Sequence, residues 1–148
     1  MDERDWELLL DRIKNGKCTP FLGAGINYGV LPLGGQIARE WADKYHYPLK
    51  DSDDLARVAQ FLAVAYKDAL FPKDRILERL RSVATPDFNQ PNEHLEGLKA
   101  LAELPLPVYL TTNYDDLMVK ALEHLKKGPR RELCRWNSAL KEYPSAFD

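Results

Sequence analysis

Two short loops carry the residue types that could do chemistry. The first, GAGIN at 23–27, places Gly23 and Gly25 one residue apart at the end of an apolar run. Glycines there let backbone N–H groups approach a pyrophosphate with no Cβ in the way. They also suit a tight strand-to-helix turn with close packing. The second loop, TTNYDD at 111–116, offers Asn113, whose amide both donates and accepts and so suits ribose hydroxyls or an ordered water. Asp115 can accept from a ligand's amide. The same residues fit a helix start, Asn113 as N-cap and Asp115 and Asp116 as complements to the helix dipole. The glycines complete neither known phosphate motif. A dinucleotide fingerprint needs its third glycine where Tyr28 stands, Gly29 coming one place late, and no Gly-Lys-Ser/Thr follows for a P-loop.

The elements around these loops follow from apolar periodicity. Trp6, Leu9, Leu10 and Ile13 predict a first helix stopped by Asn15 and Gly16. A short buried strand over 18–22 runs into the glycines, and the loop at 28–35 leads to a helix carrying Ile37, Trp41 and Tyr45. Ser52 is a plausible N-cap for a helix with Leu55, Val58, Leu62, Ala65 and Ala69 on its period, ended by Pro72. Ile76, Leu77, Leu80 and Val83 mark a shorter helix, and Asn92 can cap another with Leu95, Leu98 and Ala102. LPVYLT at 106–111 is a second apolar, proline-bounded strand. A helix with Leu117, Met118, Ala121, Leu122 and Leu125 follows at once, and a third strand is expected over 132–136.

Strands that each feed a helix predict an α/β fold, a Rossmann-like open parallel sheet with a helical insert. Its regions are a glycine-loop region at 18–36, the insert at 37–104, the second strand, helix and third strand at 105–136, and a tail at 137–148. Both chemical loops would then open on one sheet edge, where ligands sit in such folds. A sheet of two or three strands is thin, so the sheet is expected to be incomplete at the C-terminus.

Composition bounds the function. In 148 residues there are 21 Lys and Arg against 23 Asp and Glu, a net charge of −2 that does not suit nucleic-acid binding. The basic run at 126–131 reads as a helix end and loop. Cys18 and Cys134 form no C-x-x-C pair and suggest neither a disulfide framework nor a zinc knuckle, so no metal is expected. There is no secretory leader and no apolar run of membrane-spanning length, which places the chain in a reducing cytoplasm.

Together, FLGAGIN at 21–27 and TTNYDDLM at 111–118 resemble the sirtuin-like NAD-binding domain. The likeness is to its bacterial branch, known from antiphage NAD-degrading effectors, and HLEGLKALAELPLPVYLTTNYDDLM at 94–118 resembles that branch's approach to its second motif. The resemblance implies NAD as substrate: Gly23, Ala24 and Gly25 would hold its pyrophosphate. Asn113, the catalytic residue, would face the nicotinamide ribose and the attacking water, and Asp115 the carboxamide. Asn27 stands where many relatives carry serine, and Pro32 lies in the loop that covers the cofactor.

Two departures qualify the resemblance. The four cysteines of a zinc ribbon are missing, which favours NAD hydrolysis over protein deacetylation. The family's histidine lies in a His-Gly stretch after the second motif, and no His-Gly dipeptide occurs here. His46, His94 and His124 read as surface or packing residues. The chain is therefore expected to be the N-terminal part of a longer protein, an NAD+ hydrolase with a further domain or partner and a possible homo-oligomeric assembly. A non-catalytic NAD or ADP-ribose sensor and a helical interaction domain are the other readings.

Overall fold

The computed structural model describes residues 2–135 and 137–145. Helix α1 (Glu3–Lys14) starts at Asp2, where Asp2 and Asp5 each accept the other's backbone N–H at 3.0 Å. It buries none of its residues. Strand β1 (Phe21–Leu22) then pairs in parallel with β2 (Leu110–Thr111), Phe21 opposite Leu110 and Leu22 opposite Thr111. Flanking bonds run from Leu110 N–H to Pro20 O at 2.9 Å and from Thr112 N–H to Leu22 O at 3.1 Å.

Both strands are shorter than the apolar runs that contain them. Pro20 and Pro107 lie inside the expected spans and have no N–H to give, so the ladder cannot lengthen toward the N-terminal side. The third strand expected over 132–136 is not formed by residues 132–135, and Trp136 lies outside the described residues. The architecture is α/β, mostly helical, around a two-stranded parallel sheet.

Between the strands run α2 (Gly34–Lys44), α3 (Leu55–Ala65), α4 (Phe71–Arg81) and α5 (Glu96–Glu103), and α6 (Leu117–His124) follows β2. Asp54, not Ser52, caps α3; its carboxylate accepts from the N–H groups of Ala56 and Arg57 at 3.0 and 3.2 Å. That helix ends at Ala65 rather than near Ala69, with Lys67 turned to φ 53°. Pro72 opens α4 instead of ending its predecessor, since a proline in the first helical turn gives up no intrahelical bond. Among the described residues, no helix is long and apolar enough to cross a membrane.

Two apolar cores form. One packs Leu22, Leu95, Leu98, Leu117, Ala121 and Leu122 where α5 and α6 meet the sheet. The other packs Ile37, Trp41, Val58 and Leu62 between α2 and α3, with Phe71 and Ile76 of α4 against it. Tyr109 ties β2 to the first core: its hydroxyl donates to Leu101 O at 2.9 Å, at the end of α5. Burial holds that hydroxyl above its ordinary pKa of 10.0. The raised value means that the bond's support is complete below pH 10 and is lost as pH rises through the folded-state value. Tyr109→Phe is expected to cost about 1 kcal/mol at neutral pH. The gap from wild type should narrow above about pH 10 in denaturant titrations across pH.

Candidate functional site

Parallel pairing brings the two loops out on the same edge of the sheet. After β1 the chain makes a single 3-10 turn over Ala24–Asn27. After β2, the Asn113 N–H donates to Thr111 Oγ1 at 3.0 Å, and Asn113 Nδ2 reaches across to donate to Gly23 O at 3.2 Å. The side chain of Asn113 therefore bridges the loops and does not cap α6. Its Oδ1 is the half of the amide not used in that bridge.

A second bridge lies deeper. Asn27 is 2% exposed, and its Nδ2 donates to Asp115 Oδ2 at 2.6 Å, the short separation of a charge-assisted bond. Asp115 Oδ1 accepts the N–H of Leu117 at 2.9 Å and so also steadies the start of α6. Asn27 Oδ1 is buried and has no partner among the described residues. Asp116 is neutralised by Lys120 at 2.9 Å, whose ammonium also reaches Thr85 Oγ1 at 3.3 Å.

These side chains line a cavity of about 550 Å³ between the two cores. Ala24, Asn27, Asn113 and Asp115 are in its wall, and Gly23 and Gly25 are exposed beside it. Pro32 lines it as part of the 30–32 segment, and α4 with the stretch after it supplies an apolar side through Ile76, Leu77, Leu80 and Val83. Among the described residues of the wall, Arg81 is the cation. A larger open depression of about 680 Å³ shares Val30, Leu31, Pro32 and Val83 with it. There Arg79 and Glu40 satisfy each other at 3.2 and 3.3 Å. We place the candidate site in the smaller cavity, whose wall carries Asn27, Asn113 and Asp115.

The glycines sort into two kinds. Gly29 has φ +81°, and a Cβ on it would collide with the His94 imidazole. That residue must be glycine for the chain's own reasons. Gly23 and Gly25 have no positive φ, and a Cβ on either would meet nothing within 4 Å. The close-packing explanation for the GAG turn is thus absent from the fold.

His94 packs beneath Gly29 and edge-on to Tyr28 at 6.3 Å between ring centres, while His124 lies 6.1 Å from the Phe88 ring. None of His46, His94 and His124 lines the cavity. Among the described residues no three His, Cys, Asp or Glu side chains are grouped to hold a metal ion. Sequence reasoning missed the pairing of Asn27 with Asp115 across 88 positions and the wall built by α4. The only trace of the latter is that Leu77 widens an apolar stripe already served by Ile76 and Leu80 and is left 47% exposed.

In sequence the chain is similar to proteins named NAD(+) hydrolase ThsA. It is 29% identical to that of Acinetobacter baumannii (strain 532279) over 132 residues, 84% of this chain and 25% of the relative. The protein from Cytobacillus dafuensis is 31% identical over 122 residues, 81% and 23% of the two chains. That from Enterococcus faecium is 28% identical over 124 residues, 81% and 24%. The chain spans about a quarter of the length of these relatives. No family model and no solved structure matches it.

The glycine geometry makes a direct prediction. Gly29→Ala should lower stability by about 1–3 kcal/mol through strain and the clash with His94. Gly23→Ala and Gly25→Ala should each stay within about 0.5 kcal/mol of wild type. Thermal melts of the three variants without ligand check it.

Proposed function

We propose that this chain carries the NAD-binding part of an NAD+ hydrolase with a sirtuin-like, Rossmann-like domain. The observation that carries the proposal is the pair of glycines that the fold does not itself require, beside a cavity whose wall holds Asn27, Asn113 and Asp115. The printed names of the relatives support the same substrate. The backbone of Gly23, Ala24 and Gly25 approaches the pyrophosphate, and the N–H groups opening the 3-10 turn have no partner within that turn to compete. Asp115, which accepts from the Asn27 amide, meets the nicotinamide carboxamide.

In the reaction a water oxygen bonds to the anomeric carbon of the ribose as the carbon–nitrogen bond breaks. Nicotinamide departs with that electron pair, and the water's surplus proton passes to solvent. Asn113, held by its Nδ2 on Gly23 O, offers Oδ1 to orient the water or a ribose hydroxyl. The Asp115 carboxylate favours the positive charge that grows on the ribose. No metal takes part. On this proposal the protein acts in the cytoplasm as an effector of bacterial antiphage defence, with a further domain or partner and self-assembly.

One observation favours a second reading, a non-catalytic NAD or ADP-ribose sensor: no histidine lines the cavity. Incubation with NAD, followed by chromatography of nicotinamide, separates the two. Hydrolysis predicts release that falls about 100-fold or more in Asn113→Ala. Saturable NAD-dependent thermal stabilisation without release supports the sensor. In either case Gly25→Ala should keep its melting temperature and bind NAD at least about tenfold more weakly, because its new Cβ occupies the ligand's approach. Absence of both release and stabilisation in the wild-type protein would sink both readings.

A further inference from the structure

Helix α1 is amphipathic, yet it buries none of its residues. Leu9 and Ile13 are half-buried, whereas Trp6 and Leu10, one helical turn apart, are 53% and 49% exposed. A tryptophan and a leucine on one stripe of an otherwise charged helix mark a contact surface. The charges say what kind. Residues 2–14 carry more acids than bases, which does not suit an anionic lipid surface.

Along one flank of the stripe the helical repeat sets Glu3 and Glu7 near the start and Lys14 at the end. Asp11, further round the helix, is engaged by the Asn15 amide at 2.9 Å. Among the described residues none of Glu3, Glu7 and Lys14 makes an ion pair. A parallel copy of α1 would set acid on acid. An antiparallel copy centred on residue 8 sets Trp6 beside Leu10 of the second copy and Lys14 beside its Glu3. Two-fold symmetry makes each contact twice, and the two helix dipoles then oppose favourably. We propose that α1 is the contact surface of a homodimer in which two copies pack their α1 helices antiparallel about a two-fold axis. This gives a surface to the self-assembly in the reading above and rests on no part of the NAD site.

The contact is small, α1 having 12 residues, so the dimer is weak, with a dissociation constant on the order of 10 µM. Its apolar centre supplies the affinity, and the flanking charges fix the antiparallel direction.

The test is sedimentation equilibrium of the wild-type chain and three variants across about 1–300 µM, a range that spans the expected dissociation constant. The wild type should pass from monomer to dimer. Trp6→Glu should weaken dimerisation at least about tenfold. It should keep its melting temperature in dilute solution, because Trp6 is exposed in the single chain. Glu3→Lys and Lys14→Glu should each weaken the dimer about fivefold, by setting like charges together at both ends. An equimolar mixture of these two should dimerise as the wild type does, since each variant meets the other's new charge with the opposite sign. A charge that serves only the dipole of its own helix would show no such rescue. A wild type still monomeric at about 300 µM would overturn the inference. So would a dimer that Trp6→Glu leaves intact, or a mixture that fails to recover. None of these outcomes touches the NAD reading, which nicotinamide release and NAD-dependent stabilisation decide separately.

Discussion

A very short parallel ladder governs the rest of this structure. Two residues of β1 meet two of β2, and prolines at 20 and 107 keep the pairing from growing toward the N-terminal side. So short a sheet can bury little by itself, and its stability must come from the helices packed around it. Leu22 turns into the core shared by α5 and α6, whereas Phe21 is 72% exposed. What the ladder does supply is position: it sets the 3-10 turn after β1 beside the loop after β2. The bonds from Asn113 to Gly23 and from Asn27 to Asp115 can form only because that register holds.

The chain's local signals were legible where one cause acted alone. Amphipathic periods announced the helices, and the chain-order pairing of an apolar run with a polar loop announced that two loops would share an edge. Boundaries failed where two causes competed. Ser52 and Asp54 are both good caps, and the choice fell to Asp54 because it immediately precedes the first helical residue and reaches two N–H groups. Pro72 is a stop signal in isolation, yet the same missing N–H makes it a favourable start. In 132–136 a strand was expected, but residues 132–135 do not join the sheet that β1 and β2 form.

The candidate site was half visible in the same sense. Residue types and loop positions named Asn113 and Asp115, the resemblance added Ala24 and Asn27, and all four line one cavity. Their division of labour was not readable, because it depends on which atoms the fold consumes internally. Asn113 donates its NH₂ to a backbone carbonyl, and Asp115 gives one oxygen to a helix start and the other to Asn27. Each of these bonds removes one chemical option and leaves another. No local pattern encodes a bond between residues 88 positions apart.

The place of the cavity has a physical reason as well. It lies along the seam where the α2–α3–α4 core meets the α5–α6 core, and neither cluster can close over the other. Leu31 and Leu117 line it from one side and Ile37, Leu55 and Ile76 from the other. An apolar seam of this kind would ordinarily collapse on itself. Here the polar part of the wall opposes closure: packing apolar side chains over Asn113, Asp115 and Asp116 would strip those groups of solvent. A ligand with polar groups for those side chains and an apolar face for the seam removes both penalties at once. The polar wall and the open seam are thus one feature, and Asp115 holds it together by accepting from Asn27 with one oxygen and from the start of α6 with the other.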